Sequence, residues 1–445
     1  MRVTIDEVRK KRMDGDETQE LIPGGRRSEV ESRARLLGPE RAGRQGARQS
    51  GREGGRPLIS PAAIGPANRG RVLQALFDLG PTSRAELARY AQVNRTTISG
   101  IVQPLLDRGV LVEGEPLPVA VSGGKPARPL WFSPDAGPIC AAMLMPDMAH
   151  TALVSLTGDI YAEQVCRFAA DPATAEPLIE GLAGCLDRTL AEAARPPLGI
   201  GVAVGGMVDT DANSIVAVNL APALAGYPLG RELGRRFGLT VCLDHHPRAM
   251  LLGERWFGIG RGLRTFAAIY TGEVLGGALY LDGHLYRGPG GGGGELGHTF
   301  VQLDGDLCRC GRRGCWETIA TTGWLRAQAR AAGLPEPDAI DAARLAGLAA
   351  AGHPGAATLF DRYARNVAVG IANLHQTMSP EVYVLYGDVV GGGATMRDAI
   401  AAHVRALVPA RPGHELTFAL GDTEDRATLR GAAGLVLSET LQFAL

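Results

Sequence analysis

A chain of 445 residues is too long for one ordinary hydrophobic core, so two or three domains are expected. Its apolar content is that of a globular protein, its net charge is −1 and no apolar run reaches membrane-spanning length, which excludes a membrane-embedded or wholly disordered chain. Seven cysteines, an odd number, and an N-terminus without a hydrophobic signal core fit a reducing, cytoplasmic setting better than a disulfide framework.

The near-neutral total hides an asymmetry. Residues 1–60 are net basic by about four and residues 61–133 by about three, while the remainder is acidic by about eight. Almost every cation is Arg, with Lys only at Lys10, Lys11 and Lys125. The first 60 residues mix Arg, Gly, Glu and Gln with little apolar periodicity and cannot bury enough surface to offset their ordering entropy. They read as a disordered basic tail; the alternative is an arm with nonspecific attraction for phosphate.

Order begins near Ile64. Between Asn68 and Leu79 the residues Val72, Leu73, Leu76, Phe77 and Leu79 share one helical face, and Gly80–Pro81 ends it. Ser83 and Glu86 form a capping box for a short second helix, with Leu87, Ala88 and Tyr90 inward. Asn94 caps a third helix with a core stripe of Ile98, Ile101, Val102, Leu105 and Leu106. Pro104 lies inside it and should kink it beyond its first turns. Val110–Val112 and Leu130–Phe132 read as two strands of a hairpin whose loop holds Ser122-Gly-Gly-Lys125-Pro126. Residues 61–133 thus read as a winged helix-turn-helix, its third helix entering the major groove of a double-stranded DNA operator. The candidate DNA contacts are Ser83, Arg84, Asn94, Arg95, Thr96, Thr97, Ser99 and Lys125. Periodicity alone leaves open a helical bundle with an ordinary solvated face.

From Ile139 the pattern becomes strands alternating with helices, as in an α/β domain. Ala141–Ser155, with Thr157–Gly158 as its turn, reads as a first hairpin, and Leu198–Val204 as a buried strand ending at Gly205–Gly206. Farther along, Cys308, Cys310 and Cys315 crowd into eight positions, with His298 ten positions upstream. Thiolates and imidazole are the ligands that tetrahedral Zn²⁺ prefers, and four protein ligands make a structural rather than a catalytic site. Gly311 and Gly314 let the loop fold back on itself. A chance cluster of buried cysteines is the alternative.

The run Gly-Gly-Glu295-Leu-Gly-His298, then Cys308-Arg-Cys310-Gly-Arg-Arg-Gly-Cys315-Trp-Glu317, closely resembles the signature of the ROK family, which groups bacterial repressors and sugar kinases. The resemblance extends from about Ile64 onward. The Ser83-Arg-Ala-Glu-Leu-Ala and Asn94-Arg-Thr-Thr-Ile-Ser runs look like the DNA-binding end of ROK repressors. It implies an actin-like, sugar-kinase architecture: lobe one over about 134–257 plus a C-terminal helix near Ala427–Ser438, and lobe two over about 258–420. It also implies zinc on His298, Cys308, Cys310 and Cys315, and sugar contacts from Gly206, Asn219, Glu295, His298 and Glu317.

The kinase features of the family are altered. A first phosphate turn of Asp-x-Gly-Gly type corresponds to Met143-Leu-Met145-Pro146-Asp147, and a Gly-Thr-Gly loop corresponds to Gly272-Glu273-Val274-Leu275-Gly276. A nucleotide-side Gly-Gly becomes Tyr386-Gly387-Asp388. The catalytic Asp falls on His246 and the Asn before it on His245, both then candidates for contact with a ligand; only a two-residue slip would put Asp244 in that role. No catalytic residue is therefore assigned. The expectation is a sugar-responsive DNA-binding transcription regulator, a repressor of carbohydrate-metabolism genes, acting as a homodimer or higher homo-oligomer with a sugar or sugar derivative as effector. The alternatives are an ATP-dependent sugar kinase with an appended DNA-binding domain, and a DNA-binding protein with no small-molecule effector.

Overall fold

The computed structural model describes residues 72–116, 126–167, 174–219, 221–410 and 415–441. The tail 1–60, the wing residues around Lys125 and Leu220 lie outside the described residues.

Residues 72–132 form three helices and a small antiparallel sheet. The helix over 72–79 precedes Arg84–Ala91 and Arg95–Asp107, and the sheet orders Thr82–Ser83, Pro129–Phe132 and Leu111–Glu113. The capping box at Ser83 is complete: its side chain accepts from the Glu86 amide, and Glu86 accepts from the Ser83 amide at 3.0 Å. Asn94 accepts from the Thr97 amide at 2.7 Å and starts the third helix. That helix continues without a break through Pro104, which lies in its last turn, well beyond Arg95. Leu73, Leu87, Ile98, Val102, Leu105 and Leu130 are buried together. Tyr90, expected inward, stands half out of the core because its ring spans to the first helix and donates its hydroxyl to Asp78 at 2.9 Å. Leu79 is likewise exposed.

The remainder is built from two five-stranded sheets with the same strand order. In the first, Ile160–Arg167, Met148–Val154, Ile139–Met145, Ile200–Val204 and Val241–His245 lie side by side. In the second, the order is His284–Leu285, Leu275–Leu281, Phe266–Thr271, Val382–Gly387 and Thr417–Leu420. Each half begins with an antiparallel meander and then adds two strands parallel to its first. The parallel strands are nearly all apolar, as burial on both faces requires.

The first hairpin is tighter than its sequence pattern suggests. Met145 pairs with Met148, so Pro146 and Asp147 make a two-residue turn, and Thr157–Gly158 instead lies between the second and third strands. Proline fixes its own backbone angle and supplies no amide, so it suits a turn and not the continuous strand that the apolar run implied.

Two helices hold the first half together. His246–Phe257 follows the strand Val241–His245, and Arg426–Leu441 returns from the second half to pack along it. Their backbones nearly touch: a Cβ on Gly253 would lie 1.9 Å from the Ala427 carbonyl oxygen, and one on Gly431 would lie 1.6 Å from that of Ala249. Only glycine permits this approach. Among the described residues, no helix is long and apolar enough to cross a membrane.

Candidate functional site

The parallel strands of the first half end at His245, where the next helix begins. Ligands of open α/β sheets gather at such carboxyl ends, where loops and helix N-termini converge. Asp244, the penultimate strand residue, is fully buried. Arg248 donates through Nε to one of its oxygens at 2.6 Å, and Arg287 donates through Nε to the other at 2.9 Å. The Arg248 guanidinium also donates to the carbonyls of Gly291 at 2.8 Å and Gly293 at 3.2 Å, and so fixes the glycine run leading to Glu295.

His246 opens the helix and is buried, with its Nε2 2.5 Å from Asp425 and its ring edge-on to Tyr270 at 5.1 Å between centroids. His245 points the other way, its Nδ1 3.9 Å from Glu295. Burial, followed by the nearby charges of Arg248 and His246, pushes the His245 pKa down to about 3, so the ring is neutral. Burial raises the pKa of Glu295, and its buried Oε1 has no hydrogen-bond partner. A buried carboxylate oxygen left this way retains acceptor capacity for a group outside the chain.

Glu317 joins Glu295 at this place. Its carboxylate accepts from the Leu275 amide at 3.4 Å and lies 3.9 Å from His298 Nδ1. Beside the dominant effect of burial, His298 and Arg248 oppose the upward shift of Glu295 and Glu317 adds to it. Gly206 packs where a Cβ would lie 2.5 Å from the Ala217 carbonyl, beside Val218, and Asn219 just beyond is exposed.

The cysteine loop is attached directly. The ligand atoms of His298, Cys308, Cys310 and Cys315 all lie within 4.8 Å of one another. Cys310 and Cys315 sulfurs are 3.6 Å apart, as are Cys308 Sγ and His298 Nδ1. A tetrahedral Zn²⁺ with Zn–S bonds of about 2.3 Å sets its sulfurs about 3.8 Å apart. The donor set therefore fits a structural zinc site. Gly311 and Gly314 have φ of +83° and +75°, and a Cβ on Gly314 would lie 1.5 Å from the Gln302 carbonyl oxygen. Nδ1 of His298 is the ring nitrogen turned toward the cysteine sulfurs, so Nε2 is not needed for the metal.

Three further positions are engaged by the chain's own side chains. Glu273 pairs with Arg326 at 2.6 Å. Asp388 accepts from the Tyr363 hydroxyl at 2.9 Å and from the Ala342 amide at 3.0 Å. The Tyr386 hydroxyl donates to Glu254 in the helix His246–Phe257.

Of the candidate DNA contacts, Asn94, Arg95, Thr96 and Ser99 are exposed on one helix start, and Thr97 is half-buried. Ser83 is buried and its hydroxyl belongs to the cap, while Arg84 pairs with Glu113. The pattern of residues gave no weight to Arg248, Arg287 or Asp425. Asp244 lies in the strand and Arg248 in the first turn of the helix that follows, so their pairing crosses an element boundary that spacing alone does not reveal. The other two partners are remote in sequence.

The profile of the ROK family matches residues 147–439, about two thirds of the chain. The chain belongs to the ROK family. This ROK chain is 25% identical over 394 residues to the xylose repressor of Caldicellulosiruptor bescii, covering 84% of this chain and 96% of that protein. Its fold is similar to that of a ROK family transcriptional regulator, a homolog of Escherichia coli Mlc, with a TM-score of 0.71 at 24% identity, covering 85% of this chain and 99% of the other. A ROK family glucokinase from Streptomyces griseus, solved with glucose and AMPPNP, superposes with a TM-score of 0.60 at 25% identity, covering 67% of this chain and 99% of the other. The chain is thus related both to sugar kinases and to regulators.

Proposed function

We propose that the protein is a sugar-responsive, DNA-binding transcription regulator, with residues 61–133 as a winged helix-turn-helix and 134–445 as the sugar-binding core. The observation that carries this reading is the head at 72–132. Its third helix exposes Asn94, Arg95, Thr96 and Ser99 at the end that would meet base edges and phosphates. The glucokinase is nearly fully covered by 67% of this chain, whereas the regulator takes up 85%.

The site itself favours recognition over phosphoryl transfer. A sugar hydroxyl attacking phosphate needs a carboxylate to accept its proton. The family's Asp position carries His246, and the neighbouring Asp244 is neutralised by two arginines. Where the family's second phosphate loop would sit, Glu273 holds Arg326 in an ion pair at 2.6 Å, so the cation there is already engaged. Glu295, His298 and Glu317, beside the metal loop, remain to bind sugar hydroxyls. The effector is taken to be a sugar, in the class of xylose or glucose, and the regulator a dimer on a pseudo-palindromic operator acting as a repressor.

Fluorescence anisotropy on DNA from upstream of the protein's own gene tests this. The titration is run at fixed salt against random DNA, without and with D-xylose, D-glucose and their phosphates. Specific binding shifted by one sugar is expected. ATP-dependent phosphorylation of those sugars at about 1 s⁻¹ or faster, the ordinary range of kinases, with no preference for upstream DNA, would overturn the reading.

A further inference from the structure

The helix His246–Phe257 touches three parts of the molecule. Its first turn lines the candidate effector site, through His246 on Asp425 and Arg248 on the Gly291 and Gly293 carbonyls. It is 12 residues long, so Arg255 in its last turn lies about 13 Å along the axis from His246. There it meets the head. Arg255 donates to both oxygens of Asp78, at 2.5 and 3.1 Å, and the rings of Trp256 and Phe257 lie 5.0 and 5.4 Å from that of Phe77.

The same guanidinium donates through Nε to the Tyr280 hydroxyl at 3.3 Å, and Tyr280 belongs to the sheet of the second half. Arg255 therefore joins the head, the first half and the second half at one point. Asp78 gathers the head in turn: it accepts from Tyr90 in the second head helix and from the Gly262 amide at 3.3 Å. The Asp78 and Arg255 side chains are only 5% and 6% exposed. A buried ion pair holds its geometry tightly, because separating its members leaves uncompensated charge in a region of low polarity. Packed junctions of this kind switch between discrete arrangements instead of deforming gradually.

We propose that Arg255 is the coupling residue through which closure of the sugar site is transmitted to the DNA-binding head. The inference rests on the regulator reading above. A sugar held by Glu295 and Glu317 of the second half draws that half toward the start of the helix. Tyr280 then moves against Arg255, which is bound on its other side to Asp78, and the head reseats. By linkage, DNA changes sugar affinity by the same factor that sugar changes DNA affinity.

Hydrogen–deuterium exchange of the full chain tests this, with D-xylose and D-glucose as probes, on wild type and on Tyr280→Phe. That substitution removes one hydroxyl and leaves the Asp78–Arg255 pair. In wild type, sugar should change exchange both at 288–298 and in the head at 72–91. In Tyr280→Phe the change at 288–298 should persist while that at 72–91 falls several-fold. Anisotropy should show sugar and DNA affinities each within about threefold of wild type, with the effect of one on the other reduced. Asp78→Asn should give the same separation; its melting temperature is recorded first, and Tyr280→Phe decides if it fails to fold. An unchanged response of 72–91 in Tyr280→Phe would overturn the inference and leave the regulator reading intact. If neither sugar alters 288–298 in wild type, sugar responsiveness and the inference both fall.

Discussion

Asp244 and Arg248 stand four residues apart and form an ion pair at 2.6 Å that exposes 1% or less of either side chain. Arg287 closes the carboxylate from its other side. One acid thus balances two guanidiniums, and that of Arg248 also donates to the carbonyls of the loop before Glu295. Removing the charge alone, in Asp244→Asn, leaves Arg248 buried without its counterion. A loss of about 3–5 kcal/mol is expected, read as a lower urea midpoint. Were Asp244 a free proton acceptor, the midpoint would scarcely move.

The cysteine loop makes its own prediction. Purified protein should carry about one zinc per chain, measured by atomic absorption. Cys310→Ser removes a ligand that is only partly buried, so zinc should be lost before packing suffers. On the proposed reading, in which His298 meets both the metal and the sugar, sugar-induced thermal stabilisation should disappear with it. A metal-free wild type with an undiminished sugar response would reject the zinc assignment.

His245 gives stability a pH dependence of definite sign. Its pKa is pushed down to about 3 in the folded protein, whereas an unfolded histidine titrates near 6.5. Between those values the unfolded chain binds more protons, so stability falls as the pH is lowered through 6.5 toward 3. At pH 5 this residue alone should cost about 2 kcal/mol. Denaturant titrations of wild type and His245→Asn at pH 7 and pH 5 should differ by that amount in their pH sensitivity. Equal losses in both proteins would assign the acid lability elsewhere.

Arg95 tests the reading helix. It is exposed, and truncation should leave the melting temperature within about 1 °C, as is usual for surface changes. If it meets a phosphate, Arg95→Ala should weaken binding to all sequences alike and lower the salt slope by about one. If it meets a base edge, discrimination should fall by about 1–3 kcal/mol at one base pair. An unchanged isotherm on both specific and random DNA would remove this face from the interface.

What the sequence made legible was local. Cys308, Cys310, Cys315 and the two glycines lie so close together that spacing alone forces a fold-back. Ser83 and Glu86 announce a helix start because each satisfies the other's backbone amide. Spacing says nothing about Asp78 and Arg255, 177 positions apart, or His246 and Asp425, 179 apart. A buried Asp in an otherwise apolar helix face reads as a surface residue until its distant cation is in view. The stretch Met143–Asp147 corresponds to a family turn, yet the hairpin reads as turning at Thr157–Gly158; only the pairing of Met145 with Met148 shows that the chain first reverses at Pro146–Asp147.

The return of Arg426–Leu441 to the first half has a consequence for biosynthesis. The second sheet and its helices are inserted between the two helices that pack the first half, so this inserted unit is complete while its host still lacks a wall. Domains otherwise tend to fold in the order in which they are made. Here the earlier half must wait for the later one, with the apolar flank of His246–Phe257 uncovered until residue 441 has been made. A message truncated before that helix would leave the apolar flank of His246–Phe257 exposed and the first half prone to aggregate.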